Sequence, residues 1–506
     1  MRVAIVGGGP GGLSLAALLK AADPGRQVHV FERNRSDDTF GFGVVFSDTT
    51  MRSLAEGDPV VHARLAGEGV HWQDIEVRLG GTRLRCGGNG FAAIPRHRLL
   101  RLLQDRCREL GVDLRFETPV ELEDLGPADL VVAADGANSR VRERLAGAFR
   151  PEIATSSARF AWFGTTAPFD ALTFLFERTD AGWFGVHGYP NAAGAGTFIV
   201  EAGGESWRRA GLDRFDAAQP PGPSDLASRD LVAELFRDHL DGHEVLVNNS
   251  RWASFRTVRC ARWRAGNVVL LGDAAHTAHF SVGSGTRMAM QDALALARAI
   301  AAEPVLDDAL ERYEAERHPQ VDRIQDAARP SLAWWERFGT YADHLPPPQF
   351  TYHFLTRSGR VDHERLREDD PHFVATVERW FAARCGAGDG AHPLRTPLEG
   401  RIRLPERVLA LTELPERTAR VEAPAGESGL QEAFERAARA AAEGAPIVAV
   451  APAAGAPEVE ARLGATLLAE RVRFELGVPV LLEAPGRDDS WATTMVLSGR
   501  ADLVGV

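Results

Sequence analysis

The first 32 residues, MRVAIVGGGPGGLSLAALLKAADPGRQVHVFE, restrict the fold more than any other part of the chain. Val3 to Val6 are apolar and run straight into glycines, too short a stretch for a helix and well suited to a strand buried on both faces. Leu15, Leu18, Leu19 and Ala22 then recur at helical spacing, and Val28, Val30 and Phe31 open a second strand. Gly7, Gly9 and Gly12 form GxGxxG at the turn between strand and helix. Missing side chains there let the backbone approach a pyrophosphate, and the helix N-terminus offers free N–H groups and a positive dipole end. Glu32 stands at the end of the second strand, where a carboxylate can accept hydrogen bonds from an adenosine ribose. Glycines can also serve close packing alone, but strand, helix, strand and acid together specify a dinucleotide-binding βαβ unit.

Two further segments repeat the strand-then-turn design. ADLVVAADGANSRVRERL (128–145) ends an apolar strand at Asp135-Gly136, and GNVVLLGDAAH (266–276) ends one at Gly272-Asp273. Each alone fits a surface turn. Jointly they point to the carboxyl edge of one α/β sheet, where open sheets of this kind bind ligands. Asp273 can accept from a ribityl hydroxyl, while the N–H groups after Gly283 and Gly285 face the electron-rich end of a flavin ring, so the expected dinucleotide is FAD.

Composition removes several other classes. At 506 residues the chain is long enough for two or three domains. A net charge of -12 argues against nucleic acid or an anionic membrane as partner. The four cysteines are far apart with no CxxC, which fits reduced thiols rather than a disulfide frame or a metal site, and cytoplasm is the simplest compartment. No apolar run is long enough to span a bilayer.

Between the flavin segments the texture changes. Residues 158–200 hold ten aromatics in 43 positions, against 8% for the chain, in short alternating runs bounded by Gly, Pro and Asp. The pattern predicts an antiparallel sheet with one aromatic face. Phe160, Trp162, Phe174, Trp183, His187 and Tyr189 are candidates for a flat apolar substrate pocket, although most could be plain sheet core. QPPGPSD (219–225) reads as a loop and 229–240 as a helix.

The three motifs, in this order and spacing, resemble those of the class A flavoprotein monooxygenases, the single-component aromatic hydroxylases. FERNRSDDTFGFGVVFSD (31–48), GDAAHTAHFSVGSG (272–285) and FLTRSGRV (354–361) are most similar to the salicylyl-CoA 5-hydroxylase and anthraniloyl-CoA monooxygenase branch. Phe280 and Arg287 depart from the proline and asparagine usual in the wider class, as that branch does. The resemblance implies a Rossmann-like FAD-binding domain with an antiparallel substrate sheet. FAD-binding parts would lie at about 1–74, 92–156 and 255–385, the substrate sheet at about 75–91 and 157–254, and a small C-terminal α/β domain at 386–506. It places Arg33, Gly43 and Arg96 with the FAD residues, and gives glycines 41 and 43 to flexible backbone where the flavin moves. NADPH or NADH would reduce FAD, and O2 would add to give a flavin hydroperoxide that attacks an electron-rich ring. A base near the flavin would help a phenol or aniline react; His279 is the candidate to reach substrate, and His276 the candidate to orient the loop. Arg357 and Arg360 are candidates for the phosphates of a CoA or carrier-protein thioester, the alternative being a solvated helix face. A free aromatic or indole-type acid as substrate, an oxidase or dehydrogenase, a halogenase and a non-catalytic flavin binder stay open at this point, as does a homodimer.

The segment 384–397 reads as a Gly/Pro-rich linker, and the chain beyond it has a β-α-β rhythm: PIVAVA (446–451), a helix over 458–476, VPVLLE (478–483) and ADLVGV. Relatives in that branch carry a fused old yellow enzyme-like (β/α)8 reductase. RIRLPERVLA (401–410) resembles the start of such a barrel and the last residues its end, but a full barrel needs about 250 residues. After His392 no His, Tyr or Cys occurs, so the tail reads as a shrunken relic without reductase chemistry.

Overall fold

The computed structural model describes all residues except Phe40, Ala193, 216–222, Gly283, Ser284 and Pro485. The chain divides into two compact units, one of Met1–Arg78 with Asn89–Glu336, the other of Leu79–Gly88 with Arg337–Val506.

In the first unit β1 (Arg2–Val6), α1 (Pro10–Ala22) and β2 (Gln27–Phe31) form the βαβ unit where the apolar runs place it. β1 lies between β2 and the strand Leu130–Ala133, both parallel to it, and Val268–Leu270 pairs parallel to Leu130–Ala133. The strand order therefore reverses at β1, and the crevice at its carboxyl end is a topological switch point. Val3, Ile5, Leu13, Leu15 and Leu19 are fully buried, at about 1.5–3 kcal/mol each. Gly12 is required by this packing: a Cβ there would lie 2.2 Å from the Gly7 carbonyl oxygen. Gly7, at φ +113, would drive a Cβ to 2.2 Å from the Ala134 oxygen.

The aromatic-rich region forms the expected antiparallel sheet from Pro151–Thr165, Leu172–Thr179, Gly182–Ala192 and Ala195–Ala202. Pro151–Thr165 is one 15-residue strand that runs through the expected boundary at 156, pairing with Ala253–Cys260 across a register shift between Thr155 and Arg159, and from Arg159 on also with Gly196–Ala202. The expected helix over 229–240 is two helices, Leu226–Leu235 and Arg237–Leu240. Residues 219–222 of the expected loop lie outside the described residues. A 30-residue helix, Leu306–Trp335, ends the unit with Trp334 and Trp335 buried.

In the second unit five strands pair in parallel in the order Val408–Leu409, Leu503–Gly505, Val480–Glu483, Val448–Ala451, Ala419–Glu422. The tail thus has the expected strands and helices, the helix over 458–476 closing in a π-helical turn at Val472–Leu476. The first strand sits on the last, as in a barrel, but among the described residues it does not pair with the second. The division at Glu336 precedes the Gly/Pro-rich 384–397 segment, and that segment is held within the second unit. Leu394 is buried, and Arg407 donates to the carbonyls of Thr396, Pro397 and Asp502.

A buried polar cluster joins helices of this unit. Glu470 accepts from the Tyr341 hydroxyl at 2.6 Å and lies 3.1 Å from His353 Nε2 and 3.5 Å from Arg500 Nε. Burial alone would raise the Glu470 carboxyl; His353, Arg500 and Tyr341 reverse that and hold it below the ordinary range. Removing one member leaves a buried charge without its partner, so Arg500→Met is expected to cost about 3–5 kcal/mol of unfolding free energy, read by chemical denaturation.

A flavin cradle and an aromatic cage

The glycine turn opens a space that the protein itself does not fill. A Cβ on Gly9 would meet nothing within 4 Å, in contrast to Gly7 and Gly12, so the first and third glycines serve packing and the middle one leaves room for a ligand. Glu32 stands beside this space, its Oε2 accepting from Gly8 N at 2.8 Å and its Oε1 from Asn34 N at 2.8 Å. Arg33 is exposed next to it. Asp135 Oδ2 accepts from Arg140 N at 2.8 Å, and its buried Oδ1 has no hydrogen-bond partner among the described residues. An open glycine turn, a carboxylate at the ribose position and a buried acceptor at the second strand end fit FAD.

The third strand end is held from behind. Asp292, fully buried on the helix Gly285–Ala302, accepts from Gly272 N at 3.1 Å, lies 2.7 Å from His276 Nε2 and accepts from Arg317 Nε at 2.8 Å. Burial would raise its carboxyl, but His276 and Arg317 outweigh that and hold it below the ordinary 3.8. His276 also packs on Trp263, with ring centroids 4.9 Å apart, so its side chain faces the interior and orients the loop. Arg142, another buried cation, donates to the carbonyls of Ala274 and Ala137 and ties the second strand end to the third. Asp273 itself is reached by solvent. The protein crowding it pushes its carboxyl above 3.8 while His276 and Arg96 pull it down, and contact with water limits the rise. Arg96, at the start of the helix Arg96–Glu109, is within electrostatic reach of Asp273 and Tyr189. Gly283 lies outside the described residues, and Gly285 begins its helix, its Cβ position 3.9 Å from Asp273 Oδ1.

The segment 41–45 is less free than its glycines suggest. Gly43 opens β3 (Gly43–Ser47), donates its N–H to Thr197 Oγ1 at 2.9 Å and accepts from the Tyr189 hydroxyl at 3.1 Å. Only Gly41, at φ +69, adopts a glycine-specific conformation there. Burial pushes the Tyr189 hydroxyl up to about 12, so it stays protonated at neutral pH and serves as a donor.

Sheet register brings the aromatic candidates onto one face. Trp162, Ile199, His187 and Phe174 form one cross-strand row, and Phe160, Glu201, Gly185 and Phe176 the next. Phe280, from the loop after Asp273, inserts against this face, its ring 5.0 Å from Phe160, 5.5 Å from Trp162 and 5.3 Å from His187. Trp335 stacks on His187 at 4.3 Å and Phe174 packs on it at 5.0 Å. Trp183 stands four residues from His187 along its strand, beside Arg178. Glu201 went unnoticed in the sequence, yet it is 1% exposed and lies between His187 and His279. Its signal was an acid in Phe198-Ile199-Val200-Glu201-Ala202, on the pocket-facing parity.

In the second unit Arg357 folds back on its own helix, its guanidinium 3.9 Å over the Phe354 ring and donating to the Phe354 carbonyl. Arg360 is exposed. Beside it, Arg462 Nη2 lies 3.3 Å from the Cβ position of Gly359, and both Arg462 and Arg487 pair with Glu458. Arg365 pairs with Glu368 and Asp369, a solvated face.

Two variants separate the packing and ligand roles. Gly9→Ala is expected to keep the stability of the flavin-free protein within about 1 kcal/mol while weakening FAD binding tenfold or more, by fluorescence titration. Asp292→Asn is expected to lose about 3–5 kcal/mol at pH 7. A carboxylate held below 3.8 contributes stability that is fully present above that value and lost as pH falls through its lower folded value, so the gap to wild type should narrow below pH 3.8.

The chain is similar to known flavoproteins. The FAD binding domain family matches residues 1–126 and 127–328. The chain is 46% identical to a salicyloyl-CoA 5-hydroxylase of Streptomyces sp, over 100% of this chain and 99% of that one. It is 36% identical to the 3-hydroxy-4-methyl-anthranilyl-[aryl-carrier protein] 5-monooxygenase of Streptosporangium sibiricum, over 71% of this chain and 95% of the relative. Among solved structures, the tetrameric form of 2-methyl-3-hydroxypyridine-5-carboxylic acid oxygenase shares the fold with a TM-score of 0.54 at 21% identity, over 70% of this chain and 97% of that one. No helix among the described residues is long and apolar enough to cross a membrane. With a cradle suited to FAD and the family match spanning all three strand ends, the chain belongs to the FAD binding domain family and is an FAD-dependent class A flavoprotein monooxygenase.

Proposed function

We propose that the protein hydroxylates the ring of a salicylyl- or anthraniloyl-type aromatic carried as its CoA thioester, using NAD(P)H and O2. The carrying observation is the 46% identity to a salicyloyl-CoA 5-hydroxylase along the whole of both chains. The carrier-protein monooxygenase uses 95% of its own length to match only 71% of this chain, so it has no counterpart of the remainder, which favours CoA over a carrier protein. Bound FAD supplies the redox chemistry; the chain's residues bind, orient and exclude water.

Gly9, Glu32, Asp135 and Asp273 would hold FAD along the switch-point crevice, with Arg96 near the phosphates. The faces of Phe160, Trp162 and Phe280 offer flat apolar contact to an aromatic ring and keep water from it. His279, 2% exposed and next to Phe280, is the base for a ring hydroxyl or amino proton. His276, bonded to Asp292, keeps the loop in place. Arg360 is the contact for the CoA phosphates, with Arg462 beside the neighbouring Gly359, because Arg357 is engaged on Phe354.

The test is substrate-stimulated NAD(P)H oxidation by the yellow holoprotein, with salicylate and anthranilate offered as free acids and as CoA thioesters. Strong stimulation and coupled hydroxylation are expected with a thioester alone; equal turnover of the free acid would leave a general aromatic hydroxylase. Arg360→Ala is expected to raise KM for the thioester by about 3–10-fold with flavin content unchanged.

A further inference from the structure

The aromatic cage encloses polar groups that a merely apolar pocket would not need. His187 Nε2 lies 2.5 Å from Glu201 Oε1, and His279 Nε2 lies 3.6 Å from Glu201 Oε2. All three side chains are almost wholly buried: His187 is 4% exposed, Glu201 1% and His279 2%. On its other side, His279 Nδ1 is 2.8 Å from Ser281 Oγ, which is 2.9 Å from Ser331 Oγ. Ser281 is only half-buried, so its hydroxyl is the outer end of a series that runs Ser281, His279, Glu201, His187.

We propose that Glu201 is a positioning residue that, fixed by His187, sets the tautomer of His279 and balances its charge when His279 takes the substrate's proton by way of Ser281. This role rests on the aromatic hydroxylase activity proposed for the chain. Ser281 N also approaches His279 Nδ1, at 3.4 Å, which marks Nδ1 as an acceptor. The ring hydrogen then sits on Nε2, facing the Glu201 carboxylate. In the step itself the substrate O–H bond breaks and its electron pair stays on the ring oxygen. Ser281 Oγ receives that proton as its own passes to Nδ1, and the resulting imidazolium pairs with Glu201. No oxidant or reductant enters. A carboxylate behind a base histidine is a recurrent way to hold one tautomer and stabilise the cation that forms. The surroundings fit the role. Glu201 is faced by His187 from the neighbouring strand and His279 from the loop, while the imidazoles are faced by Phe174, Trp335, Phe255 and Phe280 and by the Ser281 and Ser331 hydroxyls.

The experiment uses the holoprotein and salicylyl-CoA as probe. Ultraviolet difference spectra at pH 7 report whether the bound phenol is ionised, independently of turnover. Wild type is expected to bind the ionised form and Glu201→Gln the neutral form. Coupled hydroxylation by the variant should fall about 10–100-fold in kcat with KM changed less than about threefold, and should recover as pH rises toward the phenol's own ionisation. Flavin content should not change. Ser281→Ala, at the half-buried end, should show the same loss of the ionised form and keeps the test decisive if Glu201→Gln does not fold. Wild-type spectra and pH profile in both variants would overturn the inference while leaving the hydroxylase reading intact. Failure of wild type to respond to any aryl thioester would overturn both.

Discussion

Asp292 is the group on which the flavin side of the molecule depends. One carboxylate, with no exposed surface, accepts the N–H of Gly272, meets His276 and pairs with Arg317. It thereby fixes three parts of the chain to one point: the end of a sheet strand, the loop that carries Phe280, and the long helix that ends in Trp335. Such a group is costly to bury alone and well held when its partners are both cationic and hydrogen-bonding. Because the loop's position is set from behind, Asp273 and Phe280 can face outward, one to the flavin crevice and the other to the aromatic sheet. Ala289 on the same helix completes the arrangement, since a Cβ on Gly272 would lie 2.8 Å from its own.

The parts legible in the sequence were those written in local patterns. A glycine turn between a short apolar strand and a helix can be read because each glycine answers a contact a few residues away, as Gly12 does with Gly7. The aromatic face was legible because alternation along a strand survives in the sequence. What was hidden depends on the register between neighbouring strands and on contacts between separate elements. Glu201 meets His187 only because both pair with their neighbours around Ile199, and the partner of His276 is on a helix that begins nine residues later. Asp292 had a faint signal of its own, an acid inside Met288–Ala297, a run otherwise almost wholly apolar. Composition in the Gly/Pro-rich segment 384–397 reports what a backbone can do, and it gave no sign that Arg407 binds this one down.

His276 and His279 show how much direction matters. They are three residues apart in one short loop, and either could be a base by composition. Their surroundings differ. His276 is set against Trp263 and Asp292 beside Arg317, an environment that immobilises it. His279 is set between a carboxylate and a half-buried hydroxyl, an environment in which a proton has somewhere to come from and a charge somewhere to rest.

The second unit is built on an open parallel sheet of five strands. Its first strand, Val408–Leu409, lies against its last, Leu503–Gly505, and among the described residues it does not pair with the second. Val408–Leu409 and Ala419–Glu422 are therefore the two edges. One edge is two residues long, and the other carries Arg420 and Glu422, devices that discourage further strand pairing. Arg420 reaches past the intervening strand to make a bidentate pair at 2.7 Å with Glu483, at the carboxyl end of Val480–Glu483. The pair neutralises the buried Glu483 carboxylate, while Glu422 at the end of its own strand accepts from Ala454 N at 3.0 Å.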